Sequence, residues 1–212
     1  MSSVLLDLHY LPSLEYFCCI NQFDNIIIEQ EEYFEKQSYR NRCHILSANK
    51  AERLVVPVIG GRKKIKVKDI KIDYSQKWLL NHIRAIQSAY GKAPFYEYFI
   101  DHFEEIFQKR EKYLFDLNLN LLKICLKFLQ INKPITFTNS YIKYSEANIV
   151  DYRSAVHPKK DYKTNFIYQP QEYPQVFGVS FVENLSIIDL LFCEGPNSKN
   201  IINQSTRLKM NI

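Results

Sequence analysis

The sequence predicts a mixed α/β (α+β) fold, and three observations carry that prediction. Short β-branched runs alternate with one helical stretch at the start of the chain, strand–turn–strand patterns fill the region up to residue 74, and long 3.6-period segments occupy residues 75–132. Residues 4–8 are a short apolar run, suited to a buried first strand. Residues 14–22 place Leu14, Phe17, Cys18 and Asn21 at helical spacing behind Ser13, the predicted N-cap. Residues 25–29 include three consecutive isoleucines and predict a second strand. Strand, helix and strand in so short a space predict a βαβ start with a parallel pair. The intervening "HYLPSLEYF" has no glycine-rich loop, which excludes a dinucleotide fingerprint there.

Three strands follow, over 43–47, 53–58 and 66–72, with turns at 48–50 and at 59–62 around Gly60-Gly61; this region reads as antiparallel. A helix over 76–90 lines up Trp78, Leu79, His82, Ile83, Ile86 and Tyr90 on one face, with Ser75 as N-cap and Gly91 just past its end. Pro94 opens a second helix over 95–109. Residues 111–129 contain "FDLNLNL", which alternates like a strand. The longer window instead sets Asp116, Asn120, Lys123 and Lys127 on one stripe and predicts a helix with Asn118 turned to the core. A buried amide needs partners, so Asn118 is either a structural keystone or part of a site. Residues 135–139 read as a strand and 141–183 as a long irregular crossing. Residues 184–194 read as a closing helix, with Ser186 and Asp189 at capping-box spacing and Gly195-Pro196 as its stop. The organisation is therefore a single domain over 1–196, strand-rich to 74, helix-rich over 75–132, then crossing and closing helix over 133–196. Residues 197–212 read as a frayed tail.

Fifteen tyrosines and 14 phenylalanines against 5 glycines exclude a low-complexity or linker-like chain. No run of apolar residues is long enough to span a membrane and the first residues lack a secretory pattern, so a cytoplasmic protein is expected. The 5 cysteines lack C-x-x-C spacing and read as reduced thiols, without a zinc site; no metal and no cofactor is called for. A net charge of +5 is too modest to demand nucleic acid. Its distribution is uneven. Arg62, Lys63, Lys64, Lys66, Lys68, Lys71 and Lys77 face only Asp69 and Asp73, just after the acidic run Glu29, Glu31, Glu32 and Glu35. Such a stripe attracts anions or acidic surfaces, or is simply solvated.

The stretch "YFEKQSYRNRCHI" crowds hydrogen-bond donors and flat rings together. On a strand, Arg40 and Arg42 would share a face and grip a phosphate or carboxylate. Gln37 and Asn41 would read hydroxyls or a base, and Tyr39 would stack. The alternative is that both arginines pair with the nearby glutamates. The ligand class is a polar, anionic small molecule such as a sugar nucleotide or an activated amino acid. His82, next to Trp78 on an apolar helix face, is either a satisfied core histidine or a base. His9 and Tyr10 follow the first strand, where open α/β sheets bind ligands.

The segments "YLPSLEYF", "YRNRCHI", "LVVPV", "IKIDYSQKW", "AYGKAPFYEY", "DLNLNLL", "YPQVF" and "LSIIDLLFCEGP" occur here in order. In that ordered set the chain resembles the WbqC-like family, from about Leu5 to Pro196. The resemblance implies a bacterial protein of surface-polysaccharide (O-antigen) assembly, with transfer of glycine or another amino acid to a sugar. It supplies no catalytic residues. An accessory protein that binds without turnover and docks peripherally on membrane polysaccharide enzymes is the competing expectation.

Overall fold

A computed structural model describes residues 2–48, 50–61, 63–143, 148–164 and 167–207. Arg62 of the basic stripe, residues 144–147 and 165–166 of the crossing, and 208–212 of the tail lie outside the described residues. The first strand β1 (Ser3–Leu6), helix α1 (Leu14–Asn21) and strand β2 (Asn25–Ile28) form the predicted parallel βαβ unit, with Leu5 opposite Ile27. Both strands are β-branched or leucine-rich; β1 buries side chains on both faces, as a central parallel strand requires, while β2 buries Ile26 and Ile28 and leaves Asn25 and Ile27 partly covered.

The antiparallel region resolves into two small pairs. Strands β3 (Arg42–Leu46) and β4 (Ala51–Val55) form a hairpin in which His44 opposes Arg53. Strands β5 (Val58–Ile59) and β6 (Lys71–Ile72) form a second, shorter pair. The strand predicted over 66–72 is mostly replaced by a 3₁₀ turn, Val67–Asp69. Three helices follow: α2 (Trp78–Tyr90), α3 (Tyr96–Gln108) and α4 (Leu114–Phe128). The "FDLNLNL" ambiguity resolves as helix. Ser75 does not cap α2; its N–H and hydroxyl donate to Asp73 instead, in a turn that precedes the helix.

Strand β7 (Ile135–Phe137) pairs parallel with β2, as the sequence indicated. Strand β8 (Ile149–Asp151), inside the presumed irregular crossing, was not foreseen. It pairs parallel with β1, giving a sheet of order β7-β2-β1-β8 with every neighbour parallel. Three residues are too few to show the two-fold alternation by which strands are recognised.

Helix α5 (Ile187–Glu194) closes the fold, but not through a capping box. The Ser186 hydroxyl donates to the Leu11 carbonyl, and Asp189 is buried, accepting from the Tyr173 hydroxyl at 2.6 Å and the Gln175 amide at 3.0 Å. Phe192 anchors α5 in an aromatic cluster with Tyr90, Tyr96 and Phe103. Gly195 stops the helix at φ +51°, and a Cβ there would meet the Phe95 ring at 2.4 Å. The chain then continues as α6 (Ser198–Ser205), which packs on α1 and buries Ile201 and Ile202. The frayed-tail expectation is corrected here. The adjacent Ile201 and Ile202, both buried, dock this short helix on α1.

The N-terminus of α1 is capped from a distance. Asn184 accepts from the Glu15 N–H and donates back to the Glu15 carboxylate, while Leu14 N–H donates to the Leu185 carbonyl. Ser13, the sequence's candidate cap, makes no side-chain cap bond.

Candidate functional site

The carboxyl ends of the four parallel strands carry Asp7, Glu29, Thr138 and Arg153, which is where ligands enter open α/β sheets. In this protein that edge is closed by its own charges. Arg40 is 1% exposed, and each guanidinium nitrogen faces an acceptor. Nε and Nη2 donate to the two oxygens of Glu32 at 2.8 and 2.7 Å, a bidentate fork. Nη2 also donates to Ser154 at 3.2 Å, Nη1 donates to Glu35 at 3.2 Å, and Nη1 lies 3.1 Å from Asp7. The Arg40 and His9 charges overcome burial and hold the Asp7 carboxyl far below the usual carboxylate range. Beside this cluster, Glu29 is fully buried and accepts from Glu31 N–H, Thr138 hydroxyl, Ile142 N–H and Arg153. The Arg153 guanidinium stacks on Tyr141 and binds Asp151.

Arg40 and Arg42 therefore do not face one hollow. Arg40 lies in a 3₁₀ turn (Tyr39–Asn41) and points inward, whereas Arg42 begins β3 and reaches the surface. A two-residue offset shares a face only on a continuous strand, and the turn breaks that rule. For Arg40 the alternative, pairing with the neighbouring glutamates, is what the fold uses.

The histidines named as bases are also internal. His9 is fully buried with Nε2 2.9 Å from Asp7, stacked between Tyr16 and Tyr39. His82 lies 2.9 Å from the buried Tyr10 hydroxyl through Nδ1, is hydrogen-bonded to the backbone of Val55 and packs edge-on to Trp78. Burial pushes its pKa down from 6.5 to about 4. Asn118 donates to the Arg40 carbonyl at 2.7 Å and is the keystone, holding α4 against the Arg40 turn. Tyr39 is buried and edge-on to His44, not free to stack on a ligand. The cysteines are buried, and burial pushes the Cys18 and Cys193 thiols up to about 12 and raises that of Cys125 as well, away from the reactive thiolate.

Among the open cavities, which include one lined from within residues 172–181 and one from within residues 123–135, one brings two arginines together, in a groove along the β3–β4 hairpin. Opposed residues share a face, so Arg42, His44 and Arg53 project together from the hairpin. With Gln37, Pro158 and Lys159 they line a cavity of about 400 Å³. Among the described residues, no carboxylate lines it. Among the described residues, Arg42, Arg53 and Lys159 have no ion-pair partner. Arg42 Nε is buried without a partner. Burial, then the Arg53 charge, pushes the Arg42 guanidinium down; burial, Arg53 and Arg42 push His44 down. Cations that destabilise one another in a concavity are relieved by a bound anion. Gln37 takes up a left-handed backbone (φ +59°) at the rim. Of the residues named from sequence, Gln37, Asn41 and Arg42 border this groove; Tyr10, Trp78 and Asn118 do not. His44, Arg53 and Lys159 were missed. The strand register that brings the first two together is legible only once the hairpin turn is placed.

A family model for the WbqC-like protein family matches residues 8–165 and 149–201. The chain belongs to the WbqC-like family. It is 27% identical over 135 residues to the "Uncharacterized protein Rv1507c" of Mycobacterium tuberculosis, spanning 63% of this chain and 58% of that relative. No solved structure matches it. Among the described residues no helix is long and apolar enough to cross a membrane, and no group of three or more His, Cys, Asp or Glu side chains is arranged to hold a metal ion.

Two predictions follow from these buried groups. Replacing Arg40 with Met leaves Glu32 buried without its cation and Asp7 with only His9 and the Ser154 N–H, and is expected to cost about 3–5 kcal/mol in urea unfolding. A loss below 1 kcal/mol would show the lock to be dispensable. For His82 the folded state binds its proton less readily than the unfolded chain, so stability falls as pH drops from about 6.5 towards 4, by roughly 3 kcal/mol in all. Unfolding midpoints of His82→Gln should lose that part of the pH dependence.

Proposed function

We propose that the protein is a group transferase of bacterial surface-polysaccharide (O-antigen) assembly, holding an anionic, activated small molecule in the β3–β4 groove. The observation that carries this reading is the convergence of Arg42, Arg53 and Lys159 in a cavity without a carboxylate. The resemblance to the WbqC-like family favours this pathway, and attachment of glycine or another amino acid to a sugar is the transfer that resemblance implies. In such a step the acceptor's lone pair forms the new bond at the activated carbon. The bond from that carbon to a phosphate oxygen breaks, and its electron pair leaves with the phosphate, where the three cations stabilise it.

The proton released by the acceptor needs a base, and His9 and His82 are committed in the core. Glu35 is the better candidate. It is half-exposed, directly precedes the groove residues Lys36 and Gln37, and is oriented by Arg40 at 3.2 Å and by Ser154. His157 lies 3.8 Å from its other oxygen. The second reading, a binding protein of the same cytoplasmic pathway that docks peripherally on a membrane enzyme, draws on the exposed lysines of residues 63–77.

Thermal-shift screening against sugar nucleotides, nucleotides, aminoacyl phosphate analogues and pyrophosphate tests the groove. A ligand that stabilises the native protein should lose at least tenfold in affinity in Arg42→Ala/Arg53→Ala, whose melting temperature without ligand stays near the native value. Full binding by that variant would remove the groove from consideration. With a ligand in hand, Glu35→Gln separates the two readings: a transferase loses turnover and keeps binding, whereas an accessory protein shows no turnover in either form.

A further inference from the structure

The basic cavity is one half of a larger groove. A second cavity of about 440 Å³ shares Gln37 and Arg42 with it, so Arg42 sits at their junction. Its lining is chemically different. Phe34 and Val58 supply apolar surface, and Gly61 keeps the floor open beside them: a Cβ there would meet Val58 at 3.0 Å and the Phe34 ring at 3.4 Å. Asn41 contributes the decisive polar group. It is 7% exposed, and its Nδ2 donates to the Val56 carbonyl at 2.8 Å, which fixes the amide's orientation. Its Oδ1 is buried with no partner. An oriented acceptor left unsatisfied costs stability unless something donates to it.

We propose that this groove takes a nucleoside diphosphate, with the base in the Phe34–Asn41–Val58 cavity and the phosphates on Arg42, Arg53 and Lys159. The inference deepens the anion-site reading above and rests on it. Phe34 and Val58 offer apolar surface to the face of a flat ring, while Lys36, Gln37 and Asn41 line the same cavity and offer polar partners to its edge. Three cations against no acid suit two phosphates better than one carboxylate. Each cavity has the volume usual for small-molecule sites. Arg42, common to both, is placed to hold the phosphate nearest the ribose.

Isothermal titration calorimetry of the full chain with UDP, GDP, CDP, ADP and inorganic pyrophosphate tests the assignment. At least one nucleoside diphosphate is expected to bind tenfold or more tightly than pyrophosphate. Phe34→Leu, which keeps the floor apolar but removes the ring, should weaken that nucleotide at least fivefold and pyrophosphate less than twofold. Asn41→Asp, a second variant that keeps an acceptor but adds a charge, should also weaken the nucleotide more than pyrophosphate. Pyrophosphate binding as well as every nucleotide, or Phe34→Leu weakening both alike, overturns the base pocket and leaves the anion site intact. No binding by pyrophosphate or any nucleotide overturns both.

Discussion

The structure depends on a charge taken out of water. The Arg40 guanidinium reaches the carboxyl edge of β1 and is held there by Glu32, Glu35, Asp7 and Ser154. Those partners come from the end of β1, from the loop after β2 and from the segment after β8, so one side chain ties together three distant parts of the chain. Asn118 adds a fourth by binding the Arg40 carbonyl from α4. A buried guanidinium is tolerated only when its donors are matched, and the match here leaves no direction free. Such a network favours one arrangement of its elements over others that bury the same apolar surface.

That lock also decides where chemistry can take place. The end of an open parallel sheet is ordinarily a binding crevice, and in this protein it is filled by Asp7, Glu29, Arg40 and Arg153 in mutual pairing. The open concavity lies instead on the β3–β4 hairpin, one turn of chain beyond Arg40. Neighbouring arginines thus do opposite work. Arg40 is neutralised inside, while Arg42 is left without an acid at the surface, next to Arg53 and Lys159. Glu35 pairs with Arg40 yet remains half-exposed.

Much of the fold was legible in the sequence because its signals are local. The three isoleucines of β2, the βαβ start, the hairpin, helices α2 to α4 and strand β7 all follow from periodicity and turn residues. What escaped was tertiary. Strand β8 is three residues long and acquires its identity only by pairing with β1. None of the serines Ser13, Ser75 and Ser186 caps its helix: Asn184 takes the Glu15 N–H in place of Ser13, and the Ser75 and Ser186 hydroxyls donate instead to Asp73 and to the Leu11 carbonyl, because a hydroxyl bonds whichever partner packing brings near. In the candidate site the residue types in "KQSYRNR" were informative, but the direction of each side chain was not. A 3₁₀ turn between Arg40 and Arg42 sends them apart, and nothing in the sequence alone announces it.

The long interval between β1 and β8 has a consequence for biosynthesis. At translation rates of about 5–20 residues per second, β1 leaves the ribosome on the order of ten seconds before the strand that completes its side of the sheet. Throughout that time the nascent chain has Asp7, Glu32 and Arg40 but not Ser154, and one flank of its central strand offers unpaired backbone to any neighbour. The early half of this protein is therefore the part most exposed to misassociation, and the shelter of a chaperone would matter most before residue 151 emerges.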